Sequence, residues 1–310
     1  MNDNVLGFHH ITAIAGDPKR NLDFYTSLLG QRLVKKTVNF DDPGTYHLYF
    51  GNEIGTPGTI LTFFPWPGAR KGFNGTGMAT EIGYSVPQGS FDFWKDRFKR
   101  YNVSFNEVNE KFGERYLPFR DPDGLHLNLI EVANDNRKAW ETAEVKADVA
   151  AKGFQSVVLT LKKGEPTIEV LTGILGYHLD KQEGNYYRFK TDAIDNANIV
   201  DLVIAPDQPA GLNAAGTNHH VAFRVKDDNV LMDYREKVLS KGLNITPKID
   251  RDYFFSLYFR EPGGVLFELA TDNPGFTKDE PLNELGTHLK LPKQYENARK
   301  EIESVLPDLS

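Results

Sequence analysis

The 310-residue sequence contains no cysteine, which excludes disulfide bonds, thiolate metal ligands and thiol nucleophiles. It has no apolar run near the roughly 18 residues that span a bilayer, and its polar start lacks the basic and apolar regions of a signal peptide. Basic residues are in deficit, since 36 Lys and Arg face 43 Asp and Glu for a net charge of -7. Clustered Lys and Arg mark nucleic-acid and anionic-membrane binding. We therefore expect a cytoplasmic protein whose partner is a small molecule, not a nucleic acid or a membrane.

What the sequence does contain is an internal repeat. Residues 7–11 and 28–30, GFHHI and LLG, return as residues 153–157 and 174–176, GFQSV and ILG. Residues 119–129, FRDPDGLHLNL, match residues 259–269, FREPGGVLFEL. Repetition at fixed spacing indicates a tandem duplication.

Each half shows the same order of elements, an alternating apolar strand, an amphipathic helix and then short strands between Gly and Pro turns. Apolar periodicity and stop signals predict four helices over residues 19–29, 90–101, 165–175 and 227–241. Shorter helices are expected over residues 140–149 and 294–305. The aromatic residues Phe63, Phe64 and Trp66 are expected to pack in the core.

This order predicts an α+β fold in which each half is a pair of βαβββ modules. Each pair would form a curved, barrel-like mixed sheet with the helices outside. The predicted organisation is a first domain over residues 1–133, a linker over 134–152, a second domain over 153–272 and a tail with a helix over 273–310.

Two His-His pairs and one glutamate stand out on predicted strands. His9 and His10 open the first strand, His219 and His220 open a strand in the second half, and Glu268 lies in an apolar strand. Neighbouring side chains of a strand point to opposite faces, so we expect one histidine of each pair to enter a cleft. Small or apolar neighbours favour His10, His220 and Glu268, with His219 on the face that packs under a helix.

The duplication supports this choice, because the counterparts of these three positions are Ser156, Glu81 and Asn128, which differ in type. A single triad is therefore expected, assembled from the first and the last module. A buried carboxylate needs a positive partner, and two imidazoles with one carboxylate suit an open-sided Fe(II) site for oxygen chemistry. The sequence predicts a metal-dependent enzyme.

These modules, the FRxPxG turn and the His, His, Glu set resemble the vicinal oxygen chelate superfamily, which includes glyoxalase I, bleomycin resistance proteins and extradiol dioxygenases. The whole chain is similar to the dioxygenases that cleave para-hydroquinones such as methylhydroquinone and chlorohydroquinones. The closer match rests on residues 9–12, 30–37, 46–50, 55–59 and 258–268. Catechol-cleaving relatives keep all three ligands in the second half, and Ser156 departs from their pattern.

The resemblance implies Fe(II) bound by His10, His220 and Glu268, with Mn(II) fitting the same ligands and Zn(II) or Ni(II) able to occupy them on purification. It implies supporting roles for five further residues, His9, Thr12, His219, Arg251 and Tyr258. Substrate would be a small aromatic ring, opened with O2 in aromatic catabolism or quinone detoxification. Asp252 departs from the chlorohydroquinone enzymes, which leaves the ring substituents open, and the formation of homo-oligomers stays open too.

Two other functions remain. A glyoxalase-like lyase or isomerase would use a fourth carboxylate ligand late in the first module, where residues 59–64 read TILTFF. A non-catalytic resistance protein that sequesters a ligand would not need the His, His, Glu set.

Overall fold

The structure, a computed structural model, describes residues 5–310. Four modules follow one another, each a strand, a helix and three strands. Module 1 contains β1 (Phe8–Ala15), α1 (Pro18–Asp23), β2 (Arg32–Asn39), β3 (Asp42–Gly51) and β4 (Ile60–Pro65). Module 2 contains β5 (Met78–Val86), α2 (Phe91–Arg100), β6 (Asn109–Lys111), β7 (Glu114–Arg120) and β8 (His126–Glu131). Module 3 contains β9 (Gly153–Leu161), α3 (Glu165–Gly173), β10 (His178–Glu183), β11 (Tyr186–Lys190) and β12 (Ile199–Ile204). Module 4 contains β13 (Thr217–Val225), α4 (Asp228–Ser240), β14 (Ile249–Asp250), β15 (Phe254–Arg260) and β16 (Leu266–Pro274).

The strands form two eight-stranded mixed sheets. One has the order β14-β15-β16-β13-β1-β4-β3-β2, and the other has the order β10-β11-β12-β9-β5-β8-β7-β6. Modules 1 and 4 therefore share the first sheet, joined where β1 pairs with β13 in antiparallel fashion, and modules 2 and 3 share the second. The predicted fold class, an α+β chain of βαβββ modules in curved mixed sheets, is confirmed. Each sheet joins one module from each half and not the two modules of one half, and the first and last modules meet in one sheet as the triad requires.

The module helices agree with prediction to within two residues except at the end of the first one. Residues 19–29 were expected as one helix, but α1 ends at Asp23 and the chain continues as a π-helical turn over Phe24–Leu28. The expected helix over residues 90–101 is α2, a helix whose buried face includes Trp94 and Phe98. Burying such side chains contributes about 1.5–3 kcal/mol each, and this fixes the helices on the outer face of the sheets.

The helix expected over residues 140–149 is absent, and that prediction is wrong. This segment is irregular, because the Val145 amide donates to the Thr142 hydroxyl and the Thr142 amide donates to the Val145 carbonyl. These bonds close a turn. Val145 is buried against Gly30, and Trp140 lies under the Arg32 guanidinium, so separate side chains anchor the segment one by one.

The tail runs along the edge of the first sheet. Lys35, which is fully buried on β2, forms ion pairs with Asp279 at 2.6 Å and Glu280 at 2.5 Å. Beyond them the expected helix over residues 294–305 appears as a 3-10 helix over Lys293–Ala298 and then α5 (Arg299–Val305). Within residues 5–310, no helix is long and apolar enough to cross a membrane.

Candidate metal centre

Three side chains from neighbouring strands converge inside the first sheet. His10 lies on β1, His220 on β13 and Glu268 on β16, and all three are buried. Glu268 Oε2 lies 3.2 Å from His10 Nε2 and 2.8 Å from His220 Nε2, and the two Nε2 atoms are 3.3 Å apart. In residues 5–310, this is the one group of three or more His, Cys, Asp or Glu side chains close enough to hold a metal ion.

The hydrogen bonds of the two histidines leave their inner nitrogens for a ligand. His10 Nδ1 is 2.9 Å from His9 Nδ1, and His220 Nδ1 is 2.7 Å from His219 Nδ1. When each outer Nδ1 donates to its neighbour, both Nε2 lone pairs face the Glu268 carboxylate, which repels them. Glu268 Oε2 accepts no hydrogen bond of normal geometry and is buried. A cation at this point would satisfy all three donor atoms, so the residues fit a metal.

The electrostatics of the site favour the ligand forms of these residues. Burial lowers the pKa of His220, which keeps its imidazole neutral. Burial alone would raise the pKa of Glu268, but the His10 and His220 imidazoles hold that pKa well below its usual range. The carboxylate is therefore ionised beside the two histidines, and a metal ion would supply the positive charge that this requires once both imidazoles are neutral ligands.

Both His-His pairs depend on bulges in the strands. In the pairing of β1 with β13, His9 has no partner, because the register shifts between Phe8 and His10. His219 has no partner either, because Thr12 faces His220 and the next residue, Ala13, faces Asn218. A bulged residue escapes strict alternation. His219 therefore lines the same cavity as His10 and His220, and the expectation that it packs under a helix was wrong.

The triad opens into a cavity of about 290 Å³. Its walls come from modules 1 and 4 and consist of Asn39, Phe40, Asp41, His47, Tyr49, Phe64, Trp66, His219, Arg251, Phe254, Tyr258 and Leu266 beside the two ligand histidines. Phe63 is buried in the core as expected. Phe64 and Trp66 line the cavity instead, because β4 ends there and its last residues pass the rim.

Arg251 and Tyr258 form one unit on the cavity wall. Arg251 Nε donates to the Tyr258 hydroxyl at 3.2 Å, and its Nη1 lies 3.2 Å from Asp41 Oδ2. Burial raises the pKa of Tyr258, so its hydroxyl keeps its hydrogen at neutral pH. Because the arginine donates to the phenol oxygen, the phenol hydrogen is free to point into the cavity.

The structure places the remaining predicted residues around the triad. His9 is buried behind His10, against the ring of Phe254 at 5.0 Å. Thr12 is fully buried and does not line the cavity; its hydroxyl lies 3.0 Å from the Thr62 hydroxyl. Asp252 bonds to Lys278 of the tail and lies outside the cavity lining.

Sequence reasoning missed two groups of site residues. Ser256 on β15 is fully buried and donates a short hydrogen bond to Glu268 Oε1, which holds the carboxylate in place. His47 and Tyr49 on β3 also line the cavity. Their spacing of two on one strand placed them on one face, but nothing in the sequence showed that this face looks toward the triad.

The second sheet carries the same geometry without the ligands. His10 and Glu268 both pair with Ala222, and Ser156 and Asn128 both pair with Gly83. Glu81 faces Val158 as His220 faces Thr12, so the predicted counterparts are in register. The Asn128 side-chain amide donates a hydrogen bond to the Glu81 carboxylate at 2.8 Å. This bond occupies the place that Glu268 and His220 hold in the first sheet.

Fold and site together define a class: a protein of four βαβββ modules whose first and last modules build a two-histidine, one-carboxylate centre. A family model described as the Glyoxalase/Bleomycin resistance protein/Dioxygenase superfamily matches residues 7–129 and 153–269. The chain belongs to this superfamily.

Full-length relatives refine this assignment. MhqO of Bacillus subtilis (strain 168), described as a candidate ring-cleaving dioxygenase, is 47% identical over 306 residues, which cover 99% of this chain and 97% of MhqO. The chlorohydroquinone/hydroquinone 1,2-dioxygenase of Sphingobium indicum is 36% identical over 317 residues, covering 99% and 98%. The crystal structure of a candidate dioxygenase from Bacillus subtilis superposes with a TM-score of 0.95 at 46% identity, covering 99% and 98%. Glyoxalase I from maize, at 17% identity and a TM-score of 0.66 over 91% of this chain and 97% of its own, shares the fold.

The expectation of a metal-dependent ring-cleaving dioxygenase is confirmed by these relatives. Such an enzyme acts on an aromatic substrate with O2, and the centre described above is where a metal fits.

Proposed function

We propose that this protein is an Fe(II)-dependent dioxygenase that opens the ring of a para-hydroquinone, such as hydroquinone or methylhydroquinone. The observation that carries the proposal is the convergence of His10, His220 and Glu268 at the wall of a cavity. A volume of about 290 Å³ is at the small end of ligand sites and suits a single ring. The named activity of the Sphingobium relative supports the same substrate class.

The donor set supports Fe(II) as the native metal. Two imidazole nitrogens and one carboxylate oxygen on one side leave open positions on the other, as in non-haem Fe(II) oxygenases. A bound Fe(II) would supply adjacent positions for a phenolate and O2 and a path for electron density between them. Mn(II) fits the same ligands, and Zn(II) or Ni(II) could replace iron on purification.

We assign His219 as a donor to negative charge on the substrate or on O2. Burial lowers the pKa of His219 to about 3, so its imidazole is neutral. Because Nδ1 accepts from His220, the hydrogen of His219 must lie on Nε2. Its Nε2 can therefore donate a hydrogen bond, and its low pKa argues against a role as the general base.

Arg251 and Tyr258 would stabilise negative charge from the opposite wall. The guanidinium holds the phenol oxygen, and the free phenol hydrogen points to the substrate. Preorganised donors in a cavity shielded from water are among the strongest means of stabilising a charged transition state. His9 and Thr12 would act without touching substrate, His9 by fixing the His10 ring and Thr12 through Thr62.

The test is O2 uptake by protein reconstituted anaerobically with Fe(II) and then offered hydroquinone, methylhydroquinone and catechol in air. We expect stoichiometric uptake with a para-hydroquinone, ring-opened product by mass spectrometry, and loss of both in His220→Ala. Absence of uptake with all three, at one bound metal per chain, would contradict the proposal and favour isomerisation or simple ligand binding.

A further inference from the structure

A chain of hydrogen bonds runs through the cavity wall beside the triad. His47 uses both ring nitrogens, with Nδ1 at 2.9 Å from the Tyr49 hydroxyl and Nε2 at 2.8 Å from the Thr62 hydroxyl. Thr62 in turn lies 3.0 Å from the Thr12 hydroxyl. The order of the chain is therefore Tyr49, His47, Thr62 and Thr12, and each neutral member has one hydrogen to donate.

Access to the cavity decides the direction in which these bonds donate. Four donors serve three links, so one hydrogen is left over. The Thr12 and Thr62 side chains are both fully buried and lie outside the cavity lining, and the Thr12 hydroxyl has the Thr62 hydroxyl as its one hydrogen-bond partner among residues 5–310. A spare hydrogen there would be a buried unsatisfied donor, which costs about 1–3 kcal/mol. Thr12 must then donate to Thr62, and Thr62 to His47 Nε2.

The same direction fixes the other end of the chain. With Nε2 accepting, the hydrogen of a neutral His47 lies on Nδ1 and donates to the Tyr49 oxygen. Burial, followed by the nearby His10 and His220, lowers the pKa of His47, so the imidazole is neutral. The Tyr49 side chain is only 1% exposed, but it lines the cavity, where a ligand can accept its hydrogen, and its hydroxyl has no other hydrogen-bond partner in the described part of the chain. Its hydrogen is therefore the spare one.

We infer that Tyr49 determines substrate specificity by donating a hydrogen bond to the second oxygen of the aromatic substrate, and that His47 is the positioning residue that aims this donor. This inference rests on the proposed function, in which the first oxygen of a para-hydroquinone lies at the metal. Tyr49 selects rings with an oxygen at both ends, because a ring with one oxygen leaves the donor unpaired.

The packing around these residues supports a fixed donor. The His47 ring lies 4.0 Å from the Tyr49 ring and 4.3 Å from the Phe64 ring, measured between centroids. Behind Tyr49, Phe276 of the tail packs at 5.2 Å. These contacts on both sides restrict the Tyr49 ring and position its hydroxyl for a ligand.

The test compares binding of hydroquinone and phenol to the metal-loaded protein under anaerobic conditions, by calorimetry, where no turnover occurs. We expect Tyr49→Phe to weaken hydroquinone about three- to tenfold, the effect of one neutral hydrogen bond, and to leave phenol affinity unchanged or slightly raised, because phenol no longer leaves a donor unpaired. Tyr46→Phe is the matched control, because it removes from the same strand a hydroxyl that bonds to the Pro307 carbonyl outside the cavity. It should change neither affinity.

His47→Phe tests the positioning role, because it keeps an aromatic ring and breaks the chain. We expect a smaller loss of hydroquinone affinity than in Tyr49→Phe, again without a change for phenol, and recovery in His47→Gln, whose amide can donate to Tyr49. A purely structural effect would weaken both rings equally and would overturn this role.

Binding by the wild type and by Tyr49→Phe separates the specificity role from the proposed function. Wild-type protein that binds hydroquinone tighter than phenol, with Tyr49→Phe unchanged in that preference, would refute the specificity role and leave the proposed function intact. Wild-type protein that binds neither ring would overturn both.

Discussion

The buried ion pair between β2 and the tail gives the most quantitative prediction. Lys35 is fully buried, its ammonium group reaches Asp279 and Glu280, and it lies 4.9 Å above the Tyr253 ring. Lys35→Met keeps most of the apolar stem and removes the charge. What remains is the Glu280 carboxylate, 3% exposed, without its cation.

The size of the stability loss in Lys35→Met depends on which carboxylate stays buried without its cation. Removing one member of a buried pair costs about 3–5 kcal/mol, because the other charge stays buried and uncompensated. Asp279 is about a quarter exposed on its side chain, so water will solvate it and its share is small. We therefore expect Lys35→Met to lower the free energy of unfolding by about 3 kcal/mol, mostly through Glu280.

The double variant Lys35→Met with Glu280→Gln tests the cause. The side-chain oxygen of glutamine at position 280 can still accept from the Gly286 backbone amide, which lies 3.4 Å from the Glu280 carboxylate in the wild type. We therefore expect stability to return to within about 1 kcal/mol of the wild type. Urea unfolding followed by circular dichroism measures both variants, and an unchanged m-value shows that the same surface unfolds. A double variant no more stable than Lys35→Met would refute the reasoning.

Three further predictions concern the site and its frame. Arg251→Met should lower kcat/KM more than tenfold with little change in unfolding free energy, because the Tyr258 hydroxyl loses its hydrogen-bond donor. Arg251→Lys should not restore kcat/KM, since lysine lacks the planar guanidinium fork. Steady-state kinetics in which either variant matches the wild-type kcat/KM would contradict this. Ser256→Ala should weaken metal binding about 10- to 100-fold in a chelator competition, because Glu268 loses the bond that orients it. Burial raises the pKa of Asp121 to about 7, so the folded state binds this proton more tightly than the unfolded state, and stability declines as pH rises from about 4 to 7. In urea unfolding, Asp121→Asn should therefore gain stability relative to the wild type as the pH rises from 5 to 8. A difference in unfolding free energy between the two proteins that stays constant over this range would contradict the prediction.

The triad could be predicted from the sequence because two independent patterns agreed. Alternation along the strands selected His10, His220 and Glu268, and the duplication showed that their counterparts had changed. The registers of both sheets now place Ser156, Glu81 and Asn128 at the equivalent points.

The rest of the site could not be predicted from the sequence, because it depends on backbone irregularity and on packing between distant segments. Bulges at His9 and His219 break the alternation on which the prediction rested, and bulges do not follow from side-chain patterns. Ser256 approaches Glu268 across two paired strands, a contact set by register. The irregular linker is anchored by single buried side chains such as Val145. Single anchors produce no periodic pattern in the sequence from which this conformation could be predicted.

The central claim is that a metal binds between the first and last modules and not in the duplicated position. The most direct measurement is an anaerobic Fe(II) titration of the metal-free chain, with Glu268→Gln beside Glu81→Gln as the matched variant in the other sheet. We predict one iron per chain in the wild type and in Glu81→Gln, and no stoichiometric binding in Glu268→Gln. Full binding by Glu268→Gln, or its loss in Glu81→Gln, would contradict the claim.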